Sequence, residues 1–257
     1  MGKRIVLKLG TNAVMKNNQF NKALVNGLAK TASEYRRKGF EIILITSGAI
    51  GLGIEKLRLG YNGLSLEEQQ ACAAVGQNAL MHSYEQAFSR YNQTIAQLLL
   101  TQENFSSRQQ LKNLNQTLQK LLKLGVIPII NENDSITTQE LRTKKGFSDN
   151  DGLAALVALH SKADVLVLAS DVDGLFAEDP KKNSKALKIH EIQDWKKLNA
   201  KIGSKSFRGK GGFQTKLEAA KKAASKGIDC IICKARNGFL EEIIEGKKCG
   251  TFIKGAR

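Results

Sequence analysis

Residues able to do chemistry gather in a few short stretches. Lys8 stands inside the apolar run RIVLKLG (4–10) and is followed by Gly10-Thr11-Asn12. A lysine in a buried strand is costly without an anionic partner. Read alone, it also fits a strand-end lysine whose stem lies along the sheet. Thr46-Ser47-Gly48-Ala49-Ile50-Gly51-Leu52-Gly53 offers glycines and a serine. Such a stretch lets backbone N–H groups approach a ligand and then face it with a helix N-terminus, or makes a plain tight turn. Asn131-Glu132-Asn133-Asp134 sets polar side chains directly after VIPII, a pattern suited to holding a polar solute. Ser148-Asp149-Asn150-Asp151-Gly152 opens an apolar helical pattern. An N-cap accounts for one of its acids but not for two acids and an amide. Ser170-Asp171-Val172-Asp173-Gly174 is again acidic and turn-forming. Gly209-Lys210-Gly211-Gly212-Phe213-Gln214-Thr215-Lys216 joins a glycine-rich backbone, a helix start and lysines, a phosphate-binding arrangement. No Walker A loop, G-x-G-x-x-G fingerprint or protein-kinase H-R-D and D-F-G set occurs.

The elements that must carry these stretches follow from hydropathy. Apolar runs at 4–10, 40–46, 95–100, 126–131, 164–170, 229–233 and 250–254 are nearly continuous rather than alternating. That is the signature of strands covered on both faces in a parallel sheet. Between them lie helix-length patterns near 21–38, 66–90, 106–124, 151–161, 215–226 and 238–245. Several end in a basic residue followed by glycine, as at Lys38-Gly39 and Lys226-Gly227. The expectation is a layered α/β fold with right-handed crossovers. Ligands then sit beyond the carboxyl ends of the strands, where the polar stretches fall. The Thr-rich segment 135–148 reads as a hairpin or flap, and 178–212 is weakly patterned.

Composition narrows the function classes. The chain has 257 residues, with 40 Lys+Arg, 24 Asp+Glu and a net charge of +16. This length fits one large domain or two small ones. The charge raises a nucleic-acid partner for consideration, but it is spread: residues 1–170 carry 20 basic and 13 acidic residues, and 171–257 carry 20 and 11. Aromatics at 6% are poor material for base stacking. An anionic small molecule fits the same charge. Apolar runs fall far short of the ~20 residues needed to cross a bilayer. The start, MGKRIVLKLGT, lacks a secretory pattern, so a cytoplasmic protein without a membrane partner is expected. Cys230 and Cys233 are spaced C-x-x-C, but positions three apart on a strand face opposite ways. No second pair completes a metal site, so structural cysteines are expected.

The stretches VLKLGT (6–11), ITSGAIGLG (45–53), AVGQ (74–77), QLLLT (97–101), PIINENDS (128–135), SDNDGLAAL (148–156), LASDVDGLF (168–176), DP (179–180) and GGFQTK (211–216) together resemble the amino acid kinase family. TSGAI and INEND point within it to the glutamate-phosphorylating branch. The resemblance implies a three-layer αβα sandwich with a mainly parallel central sheet. It implies one kinase domain over 1–257, with a glutamate-binding part to about residue 165 and a nucleotide-binding part after it. The implied reaction is ATP-dependent phosphorylation of the L-glutamate side-chain carboxylate, the first step of proline biosynthesis.

In that reading Lys8 and Lys216 neutralise the transferring phosphoryl group and Asp151 holds both lysines. Ser47, Gly48, Ala49, Asp134 and Asn150 match the glutamate positions. Lys8, Gly10, Ser170, Asp171, Lys210, Gly211, Gly212, Phe213, Gln214, Thr215 and Lys216 match the ATP positions. Mg²⁺ arrives with ATP rather than in a protein cage. Lys210 and Phe213 depart from the family's usual Thr or Ser and Met. The RNA-modification-type (PUA) module that many members carry has no counterpart in these residues, which lowers the expectation of a nucleic-acid partner. The resemblance also implies proline as a feedback inhibitor and a homo-oligomer, dimer or tetramer, with helix 66–90 as a candidate surface. The alternatives are a family member acting on another small acid, and a non-catalytic anion- or RNA-binding protein on the same frame.

Overall fold

Residues 3–16, 19–136, 150–178, 183, 185–197 and 211–256 are described by the computed structural model. Its central sheet contains β1 (Arg4–Leu9), β2 (Glu41–Ile45), β3 (Ile95–Leu100), β4 (Ile127–Glu132), β5 (Val165–Ser170), β6 (Glu191–Ile192), β7 (Asp229–Lys234) and β8 (Thr251–Ile253). Their spatial order is β6-β8-β7-β5-β1-β2-β4-β3. Neighbours pair in parallel, except that β8 runs antiparallel to β7. β1 lies between β2 and β5, so the chain leaves the centre of the sheet in both directions. Such a reversal of strand order opens a crevice at the carboxyl ends.

Because strand side chains alternate, each buried strand feeds two cores. Val6, Ile43, Ile45, Ile130, Leu166 and Leu168 face one layer of helices. It is formed by α4 (Arg108–Lys123), α5 (Asn150–Ser161) and α6 (Gly211–Ala224). Ile5, Leu7, Leu9, Ile42, Leu44 and Ile129 face the other. There lie α1 (Lys22–Arg37), α2 (Ala49–Leu57), α3 (Leu66–Ser89) and α7 (Phe239–Ile244). This is the expected three-layer αβα arrangement. The two-sided covering explains why the strands read as continuous apolar runs. Cys230 and Cys233 fall into different cores, as the three-residue spacing requires.

Local chemistry sets the helix starts. Ser65 and Glu68 form a reciprocal capping box at α3. Ser107 caps α4 through the Gln110 N–H, and Asn21 caps α1 through that of Leu24. Some elements differ from the sequence expectation. α6 begins at Gly211, four residues ahead of the expected start, so the double glycine forms its first turn. Residues 49–57, expected only as the start of a helix, form α2. Two short hairpins, Met15–Lys16 with Gln19–Phe20 and Leu175–Phe176 with Lys188–Ile189, are too short to leave a periodic signal. The flap expected at 135–148 lies outside the described residues from 137 onward, as does most of 178–210.

Helices α2 and α3 meet backbone to backbone. A Cβ on Gly53 would lie 1.9 Å from the Cys72 carbonyl oxygen, and one on Gly76 would lie 1.8 Å from that of Ala49. Only glycine at both positions allows this approach.

Candidate active site

Strand alternation decides where Lys8 goes. It shares the face of Val6, toward α5 and α6, and its side chain is 1% exposed. Asp151, in the first turn of α5, is 0% exposed and sits between two cations. Lys8 Nζ is 2.7 Å from its Oδ1, and Lys216 Nζ, from α6, is 3.0 Å from its Oδ2. The Thr215 hydroxyl donates to the same Oδ2 at 3.2 Å. Lys8 is therefore a paired interior charge, not a lysine reaching along the sheet toward water. Buried ions are tolerated only when paired and hydrogen-bonded. Two ammonium groups thus converge on one carboxylate, an arrangement suited to meeting an incoming anion. The two lysines reach the carboxylate from a strand and from a helix more than two hundred residues along the chain, so the sheet and α6 together fix the geometry.

The residue before Asp151 turns the other way. Asn150 Nδ2 donates to the Thr46 carbonyl, to Ser47 Oγ at 3.0 Å and to Asn131 Oδ1 at 2.8 Å. Asn131 Nδ2 in turn donates to Gln77 Oε1 at 2.9 Å. Asn131 ends β4 on the α3 side, and Gln77 lies on α3. The Thr46 hydroxyl meets the Tyr84 hydroxyl at 2.8 Å. Burial pushes the Tyr84 phenol up, against the smaller pull of the Thr46 hydrogen bond, so it stays protonated.

Gly48 caps α2 in the left-handed region, at φ 99°, where a side chain would be strained. Ala49 begins that helix and lines a cavity of about 370 Å³ together with Gln77, Met81, Gln97 and Asp134. Ser47 thus meets Asn150, and Ala49 and Asp134 share one cavity with Gln77.

Of the positions that the resemblance assigns to ATP, Gly10, Ser170 and Asp171 lie together at the ends of β1 and β5. The Gly10 N–H bonds the Ala169 carbonyl at 2.9 Å, and a Cβ on Gly10 would lie 3.6 Å from Ser170 Cβ and 3.8 Å from Lys8 Nζ. Asn12 Nδ2 reaches Asp171 Oδ2 at 3.4 Å. Gly211 and Gly212 open α6. Phe213 packs against the core on that side, and the exposed Gln214 bonds Glu218 at 2.9 Å. Lys210 lies outside the described residues.

Sequence reasoning passed over Thr46, Asn131 and Gln77 as site residues. Asn131 carried a signal, the polar cluster after VIPII. Gln77 carried only its place in AVGQ, because its contact is with a strand 54 positions away.

The central reversed sheet, with its buried lysine–aspartate–lysine centre at the strand ends, defines a class. The family model described as "Amino acid kinase family" matches residues 3–234, and the chain belongs to that family. It is similar to the glutamate 5-kinase of Carboxydothermus hydrogenoformans, 41% identical over 98% of this chain and 68% of that protein. The glutamate 5-kinases of Enterococcus faecalis and Clostridium perfringens are each 42% identical, over 98% of this chain and 95% of theirs. Among the described residues no helix is long and apolar enough to cross a membrane.

Proposed function

We propose that this chain transfers the γ-phosphoryl group of ATP to the side-chain carboxylate of L-glutamate, giving ADP and γ-glutamyl phosphate, the first step of proline biosynthesis. The observation that carries the reading is the buried Lys8–Asp151–Lys216 centre. Phosphoryl transfer depends on positioning and charge neutralisation more than on covalent catalysis. Lys8 and Lys216 neutralise the phosphoryl group in flight, and Asp151 keeps both ammonium groups aimed. A carboxylate oxygen of the substrate attacks the γ-phosphorus and the bond to ADP breaks. No general base is required, because the nucleophile is already ionised. The choice of glutamate rests on the printed names of the relatives and on Asp134, whose carboxylate suits an α-ammonium group.

Ser47, Gly48, Ala49 and Asn150 complete the glutamate side in this reading. Gly10, Ser170, Asp171 and residues 210–216 form the ATP side, and Mg²⁺ enters with ATP. The two parts divide near residue 165 within one domain. A cytoplasmic homo-oligomer subject to proline inhibition is the corresponding physiological reading.

The test is hydroxamate formation from hydroxylamine with ATP and Mg²⁺ across a panel of small acids. Product with glutamate is expected. Product with aspartate or N-acetylglutamate but not glutamate overturns the substrate choice. Lys8→Ala and Lys216→Ala are each expected to lower kcat by about 10²–10³ while moving KM much less. Near-normal kcat in both sinks the mechanism.

A further inference from the structure

We infer that Gln77 determines substrate specificity by donating its Nε2 hydrogen bond to the α-carboxylate of the amino-acid substrate. The inference rests on the proposed glutamate reaction and adds a recognition residue to it.

The direction of every amide in the chain that leads to Gln77 is set from one end. The Thr46 carbonyl can only accept, so Asn150 must present its NH₂ there. The same NH₂ meets Asn131, which must therefore offer its oxygen. Asn131 then has only its own NH₂ left for Gln77, whose oxygen accepts it at 2.9 Å. The far end of Gln77 is thereby fixed as a donor. That Nε2 atom is buried and has no hydrogen-bond partner among the described residues, in a residue only 8% exposed. An unsatisfied buried donor is costly and calls for an explanation. Gln77 lines the same cavity as Asp134 and Ala49, so its partner is to be sought among acceptors entering that cavity.

The helix contact holds the donor in place. Gly76, one residue earlier, sits against the Ala49 carbonyl so closely that no side chain fits between. The backbone that carries Gln77 is thereby fixed, and its side-chain oxygen is tied to Asn131. An amino-acid substrate presents one cation and one anion on the same α-carbon. Asp134 suits the cation, and the neutral donor of Gln77 suits the anion. The side-chain carboxylate is left to point toward Lys8 and Lys216. A donor without charge also avoids competing with the two lysines for the reacting carboxylate.

Gln77→Glu tests this by exchanging the donor for an acceptor of the same shape. The KM for glutamate is expected to rise on the order of a hundredfold, through repulsion of like charges. The KM for ATP should stay near the parent's, while the unpaired buried carboxylate lowers the melting temperature. The variant should also shift its preference toward the α-amide of L-glutamate, whose NH₂ can donate to the new carboxylate. Gln77→Leu, which removes the donor together with the oxygen that accepts from Asn131, should raise the glutamate KM about tenfold or more. If Gln77→Glu fails to fold, Gln77→Leu alone decides. A glutamate KM within about twofold of the parent in a folded variant overturns the inference, as does an ATP KM that rises in parallel. Failure of the parent enzyme to form hydroxamate from glutamate is a separate result. It removes the proposed reaction, and this inference with it.

Discussion

Two consecutive residues at the start of α5 serve opposite faces of the sheet. Asp151 turns to the α6 side and closes a centre made of three charges. Asn150 turns to the α3 side and begins a chain of neutral amides. The charged centre is held by electrostatics in a dry interior, where attraction is strong and an unpaired member is expensive. Its two ammonium groups suit an anion of any shape. The amide chain has no net charge, and its strength lies in direction: each link permits only one orientation for the next. A charge cluster can thus supply reactivity without discrimination. A row of oriented dipoles can supply discrimination without reactivity.

The sharpest break of that contrast is Asp151→Asn, which keeps the shape and removes the charge. Two buried lysines then lose the carboxylate they share. A loss of about 3–5 kcal/mol in stability is expected, together with a fall in kcat of about 10²–10³. Denaturant unfolding and steady-state rates measure the two effects. A folded variant with full kcat would show that the charged centre is only structural. Asn131→Leu cuts the amide chain in its middle and strands an acceptor on Gln77, while the Asn150 NH₂ keeps the Thr46 carbonyl and Ser47 Oγ. About 1–3 kcal/mol of stability should go, and the glutamate KM should rise while kcat stays within about tenfold. If kcat instead collapses as in Asp151→Asn, the two faces are not separate in function. The smallest effect is expected at the rim. Lys38 pairs with Glu34 one helical turn away at 2.8 Å, in open solvent. Lys38→Ala should leave both kinetic constants unchanged and move the melting temperature by no more than about 1–2 °C.

The charged half of this contrast was legible in the sequence, and the neutral half only in part, at Asn150 and in the polar cluster that holds Asn131. A lysine inside RIVLKLG is conspicuous because burial makes it costly, and strand alternation fixes its face once the strand is recognised. Asp151 stood out because one N-cap could not account for its neighbours. The long strands and helices were legible for the same reason, as continuous apolar runs and glycine-terminated periodic segments. Gln77 sits in a helix whose other inward residues, Cys72, Ala73, Gly76 and Leu80, read as ordinary packing. Its partner Asn131 comes within reach only through the register that sets Ile130 beside Ile45. Register and helix docking are three-dimensional facts that a one-dimensional pattern of polarity does not encode. The two-residue hairpins were hidden more simply, since two residues cannot display a period.

The glycine contact between α2 and α3 bears on how this site can change over generations. Every replacement of Gly76 introduces a carbon atom where the Ala49 carbonyl already stands. That position therefore offers no gradual route to a new substrate, and neither does Gly53 opposite Cys72. Asn78 and Met81, which line the same cavity from α3, carry no such constraint. Change in the cavity wall along this helix is thereby left to side chains such as these, while any replacement at Gly53 or Gly76 must first part the two helices.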